Sequence, residues 1–453
     1  MHSAPHPSIF STVLAWILRL TIPVRRSDRS GLLFATNVFG VLSPSRDATA
    51  EDVFPEKQSV THSEDGFLEK QTLTQTDDEK TGPGVDQHQP HTTSESTILI
   101  PDLFTSIMSH PIRINPHYSN VKHTSDARIA HTMMKDAKWA LKNAKVDLAF
   151  LASAWCYTCD ESTLGVSMDW NHWVFLFDDQ FDEGHLMVDP AAAAEEIEKT
   201  VAVMEGSLRV AWKESPVRYL MQTISDSVRK VRQFQKHWIH MHQLYFDGLL
   251  QQVTDTRTGR LSSYTIQEYL DLRVKTIGVY PAIALTQYAE GVTSVPERIL
   301  QHPSLQECMR VSAELVVLVN DIASFKKDIA LNTDLNIINL TRKNGRGLTT
   351  QQAVDQVGAM ITACYHRWYI ALSNLPTWGE KIDREVLRFV DVCRDVALGN
   401  VHWSFRTARY LGGPQGVEVR TTRRLILAQP ALPRDSGLAA VDRECLEIAG
   451  IYT

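Results

Sequence analysis

Read in windows of helical length, the chain from about residue 97 onward places apolar residues at i, i+3, i+4 and i+7 almost throughout. The pattern predicts helical stretches over 126–160, 167–183, 189–212, 216–252, 263–290, 304–328, 350–375 and 380–410. Start and stop signals agree: Ser263 and Asp189-Pro190 suit helix N-termini, and Gly184 suits a stop. Nothing reads as a set of alternating strands, and no internal repeat is visible. These elements predict one all-α domain over about residues 97–415, followed by a tail to residue 453.

The first 96 residues differ in character. Residues 8–24 are apolar but interrupted by Arg19 and Pro23, short of the ~20 clean residues a membrane span needs. No basic region precedes this run, which argues against a secretory signal. It reads either as an amphipathic or poorly ordered N-terminus, or as a membrane anchor flanked by Arg25-Arg26. Residues 45–96 hold twelve acids and four bases, a net of −8 against −7 for the whole chain. That segment is rich in Ser, Thr, Gln and His and lacks a hydrophobic period, so it is expected to be disordered.

Composition narrows the functional classes. Of 453 residues 43% are apolar, enough for a sizeable core, and six cysteines are too few for a disulfide-stapled scaffold. The acidic balance argues against nucleic acid as a partner, since phosphate binding needs clustered Lys and Arg. The expectation is an enzyme-sized cytoplasmic protein, with residues 8–24 the segment that would touch a membrane.

Within the helical region, the stretch from Trp170 to Gly184 carries candidate chemistry. Trp170, Trp173, Val174, Phe177 and Phe181 form one apolar helix face. At the C-terminal end of that helix Asp178 and Asp182 stand four apart, as do Asp179 and Glu183. Like charges at that spacing repel, and acids sit badly against the negative end of the helix dipole. A divalent cation would remove the conflict, and hard oxygen ligands suit Mg²⁺.

A second stripe lies about 140 residues on, where Asn320, Ser324 and Asp328 follow at intervals of four. An amide, a hydroxyl and one carboxylate make a weakly charged site, suited to a metal that arrives with an anionic substrate. Lys327 beside it could meet a phosphate.

The two motifs together resemble the aspartate-rich DDxxD and Asn-Asp-x-x-Ser-x-x-Lys-Asp/Glu motifs of class I terpene synthases. His402-Trp-Ser-Phe-Arg-Thr-Ala-Arg-Tyr410 is similar to the C-terminal element of fungal sesquiterpene cyclases. Arg273 falls where that family places its diphosphate-sensing arginine, and Arg113–Tyr118 resembles the segment that opens its catalytic domain. The resemblance spans roughly residues 100–412. It implies a helical isoprenoid-synthase fold, a prenyl diphosphate substrate and three Mg²⁺ ions. It implies Asp178, with Asp182 or Glu183, and Asn320, Ser324 and Asp328 as metal ligands. Arg273, Lys327, Arg409 and Tyr410 would bind the diphosphate, with Asp179 pairing to an arginine as the site closes. Arg273 and Arg409 are expected on separate helices. The state of assembly is open between monomer and homodimer.

The implied reaction is ionisation of farnesyl diphosphate and cyclisation of the cation, ending in a sesquiterpene or its alcohol. Geranyl and geranylgeranyl diphosphate are the alternative substrates, and a silent prenyl-lipid binding protein is the non-enzymatic alternative. A chain-elongating prenyltransferase would carry a second aspartate-rich motif at Asn320–Asp328, and a protonation-initiated cyclase would carry DxDD. Phe150, Trp155, Tyr157, Phe175 and Trp403 are candidates to line the pocket, each also suited to plain core packing. Cys156 and Cys159 lack a second pair for zinc and read as core. His237 and His240 share a helix face that no acid or cysteine joins, and read as ordinary histidines.

Overall fold

The broad helical stretches resolve into shorter helices wherever a residue's backbone leaves the helical region. The computed structural model describes residues 97–427 except Asn332 and Asp334. The apolar run 8–24, the acidic segment 45–96 and the end of the tail lie outside the described residues. The stretch 126–160 becomes α1 (Tyr118–Thr132), α2 (Ala137–Val146) and α3 (Leu148–Trp155). Asp147 separates α2 from α3 at φ +56°. Its carboxylate is held by Tyr118 Oη at 2.9 Å, Lys122 Nζ at 3.1 Å and Arg406 Nε at 2.8 Å, contacts that offset the cost of a left-handed residue.

Next comes α4 (Glu161–Asp182), six residues earlier at its start than the pattern predicts, because Asp160 caps it by accepting from Thr163 N. α5 (Pro190–Glu205) begins at the predicted Asp189-Pro190 pair and ends at Gly206, φ +86°. A 3-10 turn at Arg232–Phe234 divides the stretch 216–252 into α6 (Pro216–Val228) and α7 (Gln235–Thr258). The stretch 263–290 divides at Gly278, φ +75°, into α8 (Ile266–Thr276) and α9 (Val279–Ala289). The cap of α8 is Thr265, reciprocally bonded with Glu268, and Ser263 lies in the preceding 3-10 turn.

The short α10 (Glu297–Leu300) leads into α11 (Pro303–Ala330), then α12 (Ile337–Asn344), α13 (Thr350–Ser373) and α14 (Glu380–Ser404). Residues 413–422, which straddle the predicted domain end at about 415, form α15 (Gly413–Thr422). Among the described residues the fold is all-α apart from one small sheet that the pattern missed: β1 (Thr97–Leu99) pairs antiparallel with β2 (Arg424–Ile426), Ile98 opposite Leu425.

α11 is buried along most of its length and packs between α13 and α14, its polar stripe turned to a cavity that α4 and α8 also border. The apolar face predicted on α4 packs against α7: Trp173 stacks on Phe177 within α4 at 4.9 Å, and Phe177 meets the tilted ring of Phe246 on α7 at 5.5 Å. Gly248 of α7 lets α8 approach so closely that a Cβ there would lie 2.6 Å from Lys275 Cβ. These packings bring the C-terminal ends of α4, α8 and α11 round one cavity. Among the described residues, no helix is long and apolar enough to cross a membrane.

Candidate active site

The cavity measures about 410 Å³ and is closed on its fourth side by the turn after α14. Asp178, Asp179, Asp182 and Glu183 from α4 line it, as do Arg273 from α8 and Asn320, Ser324, Lys327 and Asp328 from α11. Arg409 and Tyr410 complete it from the turn, since α14 ends at Ser404; the expectation that Arg409 is helical is corrected accordingly. Every residue singled out for metal or diphosphate binding thus borders one space. A larger hollow of about 750 Å³, bordered by Phe150, Arg406 and Arg420, contains none of them.

Most of these side chains have a resting partner. Asp178 Oδ1 accepts from Tyr245 Oη at 2.9 Å. Burial and the Asp182 carboxylate push Asp178 well above the usual carboxylate range, which Tyr245 and Arg273 only partly oppose. Burial raises Asp179 to about 7 against the pull of Arg409, whose Nη2 lies 4.0 Å from Asp179 Oδ1. Asp182 accepts from Gln252. Ser324 Oγ donates to Asp328 Oδ2 at 2.6 Å, an oxygen that also accepts from Asn336 Nδ2 at 3.0 Å. Asn320 Nδ2 donates to Tyr410 Oη at 2.9 Å.

The cations are set among these acids. Arg273 Nη1 donates to Thr276 Oγ1 at 3.1 Å, in the last turn of α8 before the break at Gly278. Burial opposes its charge, but Tyr269, Asp321, Asp182 and Asp178 outweigh that and strengthen it. Burial and Arg409 lower Lys327. The Arg409 guanidinium lies 5.4 Å over the Phe175 ring. Arg273 is further from α11 in the chain than the pattern suggested, with α9 and α10 between.

Of the aromatic candidates, Phe175 and Trp403 line this cavity, their rings 5.7 Å apart. Phe150 borders the other hollow, Trp155 donates to Val396 O in the core, and Tyr157 lies under the Arg113 guanidinium at 3.7 Å. Cys156 and Cys159 are buried, as read from the sequence. His237 does meet an acid, contrary to expectation: Glu297 Oε2 lies 3.2 Å from Nδ1, brought in from sixty residues away. Tyr245, Gln252, Thr276 and Asn336 are site residues that sequence reasoning missed. Each is a single polar residue outside any motif.

Among the described residues, no three His, Cys, Asp or Glu side chains are gathered to hold a metal ion. The donor chemistry nonetheless fits Mg²⁺: every candidate ligand presents oxygen, and burial together with neighbouring carboxylates raises Asp178 and Asp179, a conflict that a cation would offset. Donors held apart by partners of their own suit a metal that binds together with an anionic substrate.

Comparison with known proteins agrees with this geometry. The family described as terpene synthase family 2, C-terminal metal binding, matches residues 169–367. (+)-Eremophilene synthase of Gibberella fujikuroi is 44% identical over 334 residues, covering 73% of this chain and 93% of that protein. (1R,4R,5S)-(-)-Guaia-6,10(14)-diene synthase of Fusarium proliferatum is 41% identical over 359 residues, 76% of this chain and 88% of that one. The crystal structure of a-eudesmol synthase has the same fold, with a TM-score of 0.58 at 20% identity over 65% of this chain and 96% of that one. With that likeness over most of its length, and with Mg²⁺-dependent catalysis implied by it, the chain is an enzyme that belongs to the class I terpene synthase family.

Proposed function

We propose that the enzyme ionises farnesyl diphosphate and cyclises the resulting cation to a sesquiterpene, or to its alcohol if water ends the cascade. The observation that carries this reading is the convergence of two oxygen-donor sets and of Arg273, Lys327 and Arg409 on one cavity. Its lining between these groups is apolar and aromatic, from Val174, Phe175, Val316 and Trp403. The relatives named for eremophilene and guaiadiene synthesis support the same substrate class.

In this reading Asp178, with Asp182 or Glu183, would hold Mg²⁺ on one side, and Asn320, Ser324 and Asp328 on the other, three ions in all by family resemblance. The chemistry Mg²⁺ supplies when bound is neutralisation of the departing diphosphate. Arg273, Lys327, Arg409 and Tyr410 bind and orient that group. The two guanidiniums hold phosphate oxygens in a fixed fork. Asp179, 4.0 Å from Arg409, positions that arginine as the turn seals the mouth from water. The Phe175 and Trp403 faces stabilise the hydrocarbon cation by roughly 0.5–2 kcal/mol each. Residues 1–96 lie outside the chemistry.

Incubation of the purified protein with C10, C15 and C20 prenyl diphosphates and Mg²⁺, read by gas chromatography–mass spectrometry, tests the proposal. Cyclic C15 products from farnesyl diphosphate are expected. Volatiles only from the C10 or C20 substrate would overturn the chain length, and none from any would overturn the cyclase reading.

A further inference from the structure

Asn336 caps the N-terminus of α12 and is fully buried. Its Oδ1 accepts from Ile338 N at 2.9 Å, which is all that a helix cap requires. Its amide nitrogen does something further: Nδ2 donates to Asp321 O at 2.8 Å and to Asp328 Oδ2 at 3.0 Å. This orientation is the one the partners allow. Turning the amide over would set its oxygen against a carbonyl and a carboxylate, and its NH₂ against the Ile338 N–H. Of the common capping residues Ser, Thr, Asp and Asn, only Asn adds two donor hydrogens to the acceptor. Asp328 Oδ2 takes a second hydrogen bond from Ser324 Oγ at 2.6 Å. Asp328 and Ser324 border the cavity, whereas Asn336 does not.

We infer that Asn336 is a positioning residue for the oxygen donors of α11: its amide N–H groups hold Asp328, and through Asp328 the Ser324 hydroxyl, in the arrangement that receives Mg²⁺. Two donors on one oxygen, one from α11 itself and one from the start of α12, fix the plane of the Asp328 carboxylate. Ser324 gives its hydrogen to Asp328, so the lone pairs of its oxygen remain for a cation. The bond to Asp321 O anchors the amide to α11, so the capping side chain cannot swing away from the carboxylate it orients. Loss of a hydrogen-bond partner behind a metal ligand typically costs about 10–100-fold in metal affinity or activity. A cap alone would carry no such dependence.

The inference rests on reading Asn320, Ser324 and Asp328 as Mg²⁺ ligands, and the test separates the two. Full-length wild type, Asn336→Ser, Asn336→Thr and Thr349→Ala are melted with inorganic diphosphate across a Mg²⁺ titration. Turnover of farnesyl diphosphate is followed over the same range. Ser and Thr keep an acceptor for Ile338 N. Each carries a single hydrogen, one bond nearer the backbone, and cannot serve both Asp321 O and Asp328 Oδ2. Thr fills more of the vacated space should Ser fold poorly. Thr349→Ala removes the cap of α13, away from the cavity, and controls for lost stability alone. In the wild type, Mg²⁺ and diphosphate together should raise the melting temperature. In both Asn336 variants the Mg²⁺ midpoint of that rise should move up about tenfold or more. Their turnover should fall at low Mg²⁺ and return to within about threefold of wild type once Mg²⁺ is in excess. Thr349→Ala should melt lower with the midpoint unmoved. A wild type that does not respond to Mg²⁺ with diphosphate overturns the ligand reading itself. Given that response, an unmoved midpoint in both Asn336 variants assigns Asn336 to the helix cap alone and overturns the inference. An equal shift in Thr349→Ala overturns it as well. A responsive wild type that forms no cyclic product overturns the proposed function and leaves the inference standing.

Discussion

Gly248 lies on α7, away from every proposed ligand, yet the structure makes it decisive for where Arg273 stands. A Cβ at this position would come 2.6 Å from Lys275 Cβ and 3.2 Å from Thr276 Cγ2. Carbon atoms pack at about 3.5–4.0 Å, so α8 would have to withdraw by roughly 1 Å. Arg273 sits two residues before Lys275, bonded to Thr276, and moves with it. Gly248→Ala gains about 1 kcal/mol in helix propensity and loses about 1–3 kcal/mol to overpacking, a net change near zero to −2 kcal/mol in stability. The rate is far more sensitive, because a misplacement of about 1 Å can cost up to 10²-fold. The expected result is a folded enzyme whose kcat/KM for diphosphate release falls tenfold or more. Gly165→Ala is the control: it lies within α4, and a Cβ there meets nothing within 4 Å. That variant should gain about 0.5–1 kcal/mol and keep its rate. Equal rates in the two variants would refute the claim that the α7–α8 approach sets Arg273.

Other consequences follow from the same geometry. Asp178→Asn and Asp328→Ala should each fold, yet lose turnover roughly a hundredfold or more; normal volatile output at unchanged Mg²⁺ would remove them from the ligand set. Arg273→Lys keeps the charge but not the planar fork, so the rate should fall at least tenfold, about 1.4 kcal/mol, with products shifted toward acyclic or hydroxylated species. A wild-type profile would make Arg273 a bystander. Burial lowers His242 to about 3, so between that value and its ordinary 6.5 the unfolded chain takes up a proton that the fold refuses. Stability should therefore fall on acidification through that window, by up to about 1.4 kcal/mol per pH unit. His242→Gln, which keeps an acceptor for Trp170 Nε1, should show a shallower fall in melting temperature below about pH 6.5, and an unchanged slope would refute the assignment. Removal of residues 1–96 should leave turnover within a few-fold in the C15 assay; a folded but inactive truncation would show that the extension takes part.

Helical periodicity made the fold class legible because the apolar spacing is local, and most of the breaks were not legible because their causes are not. Gly278 could have been read, since a glycine inside a helical pattern invites a break. Asp147 could not. It holds φ +56° with the help of Tyr118, 29 residues back, and Arg406, 259 residues ahead. The strands β1 and β2 are three residues each, too short for alternation to register, and their pairing joins positions more than 300 residues apart. The aromatic candidates divided for a similar reason. Phe175 and Trp403 face the cavity while Trp155 fills the core, a difference of helix rotation that residue type does not carry.

The second motif shows what spacing conveys and what it leaves out. Asn320, Ser324 and Asp328 at intervals of four form one stripe, and the structure sets all three on the cavity. Asp321 is one residue, about 100°, round the helix from Asn320. It is 3% exposed, and its Oδ2 accepts from Tyr269 Oη at 2.7 Å and from Ile337 N at 2.8 Å. Tyr269 lies one turn before Arg273 on α8, and Ile337 opens α12. Burial lifts the Asp321 carboxyl to about 6, against the pull of Arg273 and these donors. One stretch of α11 therefore does two things: its cavity stripe offers oxygen donors, while Asp321 ties α8 and α12 to the same helix. Through that tie Arg273 is held in register with the stripe. A four-residue period can announce the donors, but the register depends on Tyr269, 52 residues away, and exists only once the helices have packed.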